Sequence, residues 1–124
     1  MSDTSPADPL YGVMIEDCFV FGWRIENDSL VVDLLFSLWP GNPFYEEPKP
    51  DDWTCYKRGK LIARKVEIIE GLRTMSDVQR IKDLDGSVDY GSLDSAPISG
   101  DQIEIWGPFG GVRTGVQDVS YILE

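Results

Sequence analysis

Residues 19–38 read FVFGWRIENDSLVVDLLFSL, and two runs of alternating side chains lie within them. In each run, large apolar side chains occupy every second position: Phe19, Phe21, Trp23, Ile25, then Leu30, Val32, Leu34, Phe36, Leu38. A period of two is typical of a strand with one buried face. Asn27-Asp28 lies between the two runs and favours a tight turn. The stretch therefore predicts a β-hairpin with one apolar face on each strand.

The rest of the chain predicts further short strands. Residues 53–57 and 60–70 predict a strand pair that turns at Arg58-Gly59, and residues 102–106 and 112–123 predict strands around a turn at 107–111. Ser76-Asp77-Val78-Gln79 fits a capping box and predicts one short helix. We expect a flexible N-terminus over residues 1–10 and a single all-β domain over residues 11–124. Its predicted fold is an antiparallel sandwich or small barrel of six to eight strands with at most one short helix.

A proline-rich segment, residues 40–52, interrupts the strands. Its four prolines exclude regular structure, so we expect a long ordered loop or lid. Aromatic and acidic residues are combined in this segment and just after it, which suggests either a protein-binding patch or a loop that seals the open end of a barrel. The candidate partner-binding residues are Tyr45, Glu46, Glu47, Asp51, Asp52 and Trp53.

The chain is strongly acidic, with 22 acidic and 11 basic side chains and a net charge of −11. Residues 1–56 carry −9, residues 57–73 carry +4 and residues 74–124 carry −6. This distribution argues against nucleic acid as a ligand and favours a basic protein partner. We expect the basic segment, residues 57–73, to neutralise nearby carboxylates or to protect a sheet edge.

The composition also bears on catalysis, metals and location. The chain contains no histidine, the commonest general base and metal ligand, and no serine elbow, phosphate loop or Cys-x-x-Cys pair. Residues 83–89 are rich in aspartate but lack two anchors of an EF-hand, so an Asp-Gly turn is favoured over a calcium site. Cys18 and Cys55 are expected to be reduced, buried thiols. We expect a cytoplasmic, non-enzymatic protein without a catalytic residue, cofactor, metal or membrane segment.

The first half of the chain resembles a known group of proteins. The residues that carry the resemblance are Asp17–Trp23, the apolar run 30–38, Pro40-Gly41-Asn42-Pro43 and Trp53–Tyr56. They are similar to small, uncharacterised bacterial all-β domains with the appearance of immunity proteins from polymorphic toxin systems. The resemblance implies a protein-binding role and identifies no functional residue.

The leading hypothesis is therefore a binding protein, of the immunity-inhibitor type, that recognises a basic partner through its acidic loop. One alternative is a small-molecule-binding β-barrel whose pocket would be lined by Phe19, Phe21, Trp23 and Phe36. Another is a self-associating structural protein that forms a homo-oligomer through exposed strand edges.

Overall fold

The structure is a computed structural model that describes residues 8–73, 81–82 and 88–124, with residues 81, 82 and 88 described by their backbone. Its ten strands are β1 (Phe19–Glu26), β2 (Ser29–Leu38), β3 (Cys55–Ala63), β4 (Glu67–Glu70), β5 (Ile81–Lys82), β6 (Val88–Asp89), β7 (Ile98–Ser99), β8 (Gln102–Gly107), β9 (Gly110–Gly115) and β10 (Val119–Leu123). Two four-stranded antiparallel sheets have the orders β1-β2-β3-β10 and β4-β9-β8-β7, and β5 pairs with β6.

The predicted all-β class is confirmed. Within the described ranges, the helical elements are two short 3₁₀ turns, Ile15–Asp17 and Val116–Asp118, and the two sheets do not close into a barrel. None of these helical segments has the length and apolar character needed to cross a bilayer. The predicted capping box at 76–79 and most of the aspartate-rich segment 83–89 lie outside the described residues.

The predicted hairpin is confirmed, but the predicted apolar face of β1 is wrong. The turn falls at Asn27, whose φ is 59°, and β1 pairs with β2 from Phe19↔Leu35 to Glu26↔Ser29. A bulge between Val20 and Gly22 shifts the register. Val20 and Trp23 therefore face the core, whereas Phe19 packs against Tyr56 on the outer side. A single extra residue in β1 moved the aromatic side chains to different faces.

The predicted turn at Arg58-Gly59 is also wrong, because β3 continues without interruption through both residues. Gly59 is buried in mid-strand, where it pairs with Leu34 on one side and Leu123 on the other. A Cβ at this position would overlap the carbonyl oxygen of Ile122 and lie 3.1 Å from the Cα of Leu123. This glycine permits the close approach of β10 and does not form a turn.

Two chain segments pass from one sheet to the other and join them. The chain leaves the first sheet after β3 and enters the second as β4, and it returns from β9 to β10. At this corner the hydroxyl of Thr114 donates to the carbonyl of Arg64 at 2.6 Å. One hydrophobic cluster contains residues of both sheets, and its largest fully buried members include Leu30, Leu34, Phe36, Leu61, Ile103, Ile105 and Phe109.

The cysteines and the N-terminal segment complete the core. Both thiols are free and buried, as predicted, and burial raises the pKa of Cys18 to about 12. Leu10, which belongs to the segment predicted to be flexible, is 4% exposed and packs in the hydrophobic cluster. Residues 1–7 of that segment lie outside the described part of the chain.

Candidate functional site

The proline-rich loop is closed at its base, where β2 ends and β3 begins. Leu38 pairs with Cys55 across the two strands, and the Thr54 hydroxyl donates to the Leu38 carbonyl at 2.9 Å. Residues 39–54 form neither strand nor helix, which confirms the prediction of a loop without regular structure. The loop therefore projects from one end of the first sheet with both of its ends held together.

Asn42 organises the first half of the loop. This side chain is 4% exposed, and its amide group donates to the Tyr11 carbonyl at 3.0 Å and to the Tyr121 hydroxyl at 2.8 Å. Its carbonyl oxygen accepts the backbone N–H of Phe44 at 2.8 Å. One buried amide thus connects the loop, the N-terminal segment and β10.

A cavity of about 550 Å³ lies between this part of the loop and β10. Residues 43–46 of the loop form one side, Tyr121–Glu124 form the other, and Lys57 contributes to the lining. Lys57 donates to Glu46 at 2.8 Å, and this bond lowers the pKa of the Glu46 carboxyl and raises that of Lys57. The cavity therefore combines aromatic walls with an ion pair at its rim.

The end of the loop presents a large aromatic ring to solvent. Trp53 is 63% exposed, and its indole N–H donates to the Tyr56 hydroxyl at 2.7 Å. Tyr56 in turn donates to Asp17 at 2.7 Å. Burial is the main cause that raises the pKa of Tyr56 to about 12, and the hydrogen bond to Asp17 is the second. The phenol therefore remains a donor at neutral pH. This chain of hydrogen bonds orients the exposed indole.

The structure divides the six predicted partner-binding residues between two places. Tyr45 is half-buried and lines the cavity with Glu46, whereas Trp53 bonds to Tyr56. Tyr56 and Lys57 are neighbours on β3, so their side chains point to opposite faces of the sheet. The remaining three acids follow the loop between these places: Glu47 and Asp51 are exposed and Asp52 is half-buried.

Several basic side chains form ion pairs with carboxylates of the same chain. Lys60 pairs with Asp33 at 2.8 Å and Arg113 pairs with Glu67 at 2.7 Å, in addition to the Lys57–Glu46 pair. Arg58 lies 3.9 Å from the ring centroid of Phe21. The basic segment is thus partly neutralised by carboxylates of the same chain, as predicted. In contrast, no ion pair involves Glu47, Asp51 or Asp52 among the described residues.

The aromatic set predicted for a ligand pocket does not surround one cavity. Trp23 is 9% exposed and Phe36 is fully buried, and both pack in the hydrophobic cluster. Phe19 and Phe21 instead contact Tyr56 and Arg58 on the outer side of the sheet. The bulge in β1 separates the two pairs, so these four residues cannot bind a ligand together.

No cluster of three or more potential metal-ligating side chains occurs within the described ranges. Asp89, the last residue of the aspartate-rich segment, accepts the backbone N–H of Gly91 at 2.8 Å, which is typical of an Asx turn.

Sequence reasoning missed Asn42, Lys57 and Tyr121 as parts of the site, whereas Tyr56 belonged to the aromatic cluster expected around the loop. Asn42 was named only within Pro40-Gly41-Asn42-Pro43 as part of the resemblance, and nothing local relates it to Tyr121, 79 positions away. No protein-family model, curated protein or solved structure matches this chain.

Proposed function

We propose that this chain is a non-enzymatic binding protein that recognises a basic partner protein through its proline-rich loop, in the manner of an immunity-type inhibitor. The loop combines exposed aromatic rings with exposed carboxylates, and binding interfaces commonly join aromatic anchors to a charged rim. The observation that carries the proposal is the exposed indole of Trp53.

Trp53 has the properties of an interface anchor. Its ring is 63% exposed, so it contributes little to the core, yet its N–H is held by Tyr56. Orienting a large ring before binding reduces the entropy that association removes. Phe44, 51% exposed and edge-on to Tyr121 at 6.1 Å between ring centroids, supplies a second anchor at the other end of the loop.

The charge of the loop supports a basic partner. Glu47 and Asp51 are exposed and have no ion-pair partner among the described residues, while several cations are engaged by other carboxylates of the chain. Free carboxylates next to aromatic anchors attract a basic surface and accelerate its encounter. Salt weakens such attraction, because the screening length falls to about 3 Å at 1 M salt.

The test is capture of proteins from the source lysate by the immobilised full chain, washed at low or high salt. Two double variants are compared with wild type: Glu47→Gln with Asp51→Asn in the loop, and Asp94→Asn with Asp101→Asn as the control. All four carboxylates are exposed, and each pair of substitutions changes the net charge from −11 to −9. A third variant, Trp53→Ala, removes the anchor.

We expect a basic protein that is retained at low salt and released at high salt. The loop double variant and Trp53→Ala each weaken its binding by about ten-fold or more, which corresponds to the loss of an interface hot spot, and the control binds as wild type does. Capture of no protein at either salt concentration contradicts the proposal. Equal losses in the loop and control variants would show that net charge alone is recognised.

A further inference from the structure

We propose that the free edge of β10 binds an extended, basic segment of a partner protein, which adds to the first sheet as a fifth strand and places an apolar side chain in the cavity beside it. The proposal relies on the proposed function for the sign of the partner's charge. The position and the binding mode rest on the geometry of β10.

The backbone of β10 has unpaired groups on one side. Glu124 donates its N–H to the carbonyl of Arg58 at 2.8 Å, so this position is bonded to β3. Bonded and non-bonded positions alternate along antiparallel strands, so Ile122 is also directed to β3, whereas the backbone groups of Tyr121 and Leu123 point away from it. No described backbone group bonds to these two residues from the open side.

Proteins normally protect such edges, and the other three edges of the two four-stranded sheets carry protective features. β1 carries a bulge, and beyond it Val20 exchanges backbone hydrogen bonds with Tyr90 and Gly91 at 2.8 Å each. β4 also carries a register shift, and its first and last residues are the glutamates Glu67 and Glu70. β7 has only two residues.

The β10 edge has none of these protective features. Its five residues, Val119–Leu123, contain no charge and no proline, and their pairing with β3 shows no register shift. Ile122 on this strand is 61% exposed. A regular, uncharged edge of this kind is a template for strand addition.

The cavity lies beside the same residues. Tyr121–Glu124 form one of its walls, and residues 43–46 of the loop form the opposite wall. Strand-addition sites obtain affinity from the backbone and specificity from pockets for alternate side chains. A volume of about 550 Å³ admits a large apolar side chain of the added strand.

Charge favours a basic segment as the occupant. Glu124 is exposed at the cavity, and the other carboxylate of its lining, Glu46, is paired with the lining cation Lys57, so the lining keeps a net negative charge. A second copy of this chain would bring another net charge of −11 to the edge. Basic side chains on the added strand, alternating with apolar ones, complement this rim.

The experiment uses the ¹⁵N-labelled full chain and a blocked peptide of alternating lysine and valine. Two control peptides are used. One alternates glutamate and valine, and the other alternates lysine and valine but has alternate backbone nitrogens methylated. Amide hydrogen exchange is measured at Tyr121 and Leu123. Peptide affinity is also measured for Ile122→Lys and for Ile68→Lys, a control on the β4 edge whose side chain is similarly exposed at 55%.

We expect the lysine–valine peptide to slow exchange at both amides by about ten-fold or more, and neither control peptide to do so. Ile122→Lys weakens binding by about five-fold or more, because a lysine on an edge opposes strand pairing, and Ile68→Lys leaves it unchanged. Thermal unfolding confirms that both variants are folded.

Several results of the peptide experiment would each overturn the inference. They are unchanged exchange at Tyr121 and Leu123, equal binding of the acidic peptide, or protection without peptide that grows with protein concentration, which would identify a second copy as the occupant. A lysate partner that binds wild type and Ile122→Lys equally removes the strand-addition mode but leaves the proposed function intact. Peptide binding at β10 without any captured basic protein would leave the strand-addition mode intact and contradict the proposed function.

Discussion

Replacing Asn42 by alanine is expected to loosen the proline-rich loop and to destabilise the whole domain. The side chain makes three hydrogen bonds, with Tyr11, Tyr121 and Phe44, at 2.8–3.0 Å. A net value of about 1 kcal/mol for each bond gives a loss of about 3 kcal/mol in the free energy of unfolding. For a domain of this size, that loss lowers the melting temperature by roughly 10 °C.

The assay is urea denaturation followed by tryptophan fluorescence, with Tyr121→Phe and Asn42→Asp as matched variants. Tyr121→Phe removes one of the three bonds and should cost about 1 kcal/mol. Asn42→Asp keeps the acceptor for the Phe44 N–H but loses both donated bonds. Its free energy of unfolding should lie between those of Tyr121→Phe and Asn42→Ala, or below that of Asn42→Ala if the charge of the carboxylate remains buried. A loss below about 0.5 kcal/mol for Asn42→Ala would refute the role assigned to this amide.

Three further predictions concern the core and the strand packing. Gly59→Ala should destabilise the domain by about 2 kcal/mol in urea denaturation, because its Cβ overlaps the backbone of β10, and a wild-type midpoint would contradict that packing. Ser37→Ala should leave the domain equally stable or more stable by about 1 kcal/mol, since the buried Ser37 hydroxyl has no hydrogen-bond partner among the described residues; a clear loss would reveal a partner. The pKa of Cys18 rises from 9.0 to about 12 on folding, so its contribution to stability is complete below pH 9 and is lost as the pH rises towards 12. Iodoacetamide at pH 8 should therefore modify Cys18 only after unfolding, and rapid labelling of the native protein would argue against its burial.

The predicted all-β class and hairpin depended on interactions that are local in the chain. Burial of one face imposes a period of two, and every second side chain from Leu30 to Leu38 is buried in β2, although Val31 and Ser37 on the opposite face are buried as well. The Asn27 turn is likewise a property of adjacent residues, because its positive φ suits a short polar side chain. Such features are visible before any tertiary contact is known.

The errors have a common physical cause, which is dependence on distant residues. The bulge after Val20 follows from the register of β1 against β2 and from the packing of Trp23 against Phe109 and Tyr90. Gly59 resembles a turn residue in sequence, yet its role is set by the close approach of the Ile122 backbone on the neighbouring strand β10. Pattern alone cannot distinguish a glycine that turns the chain from one that admits a neighbouring strand.

The candidate site shows the same division between local and distant information. The acidic and aromatic composition of the loop, and its lack of regular structure, were apparent from four prolines and their neighbours. The fold then placed Tyr45 at a cavity beside β10 and Trp53 on a hydrogen-bonded chain to Asp17. Local composition therefore determined which side chains the loop offers, whereas the pairing of strands far apart in the chain determined where each side chain points and which edge remains open.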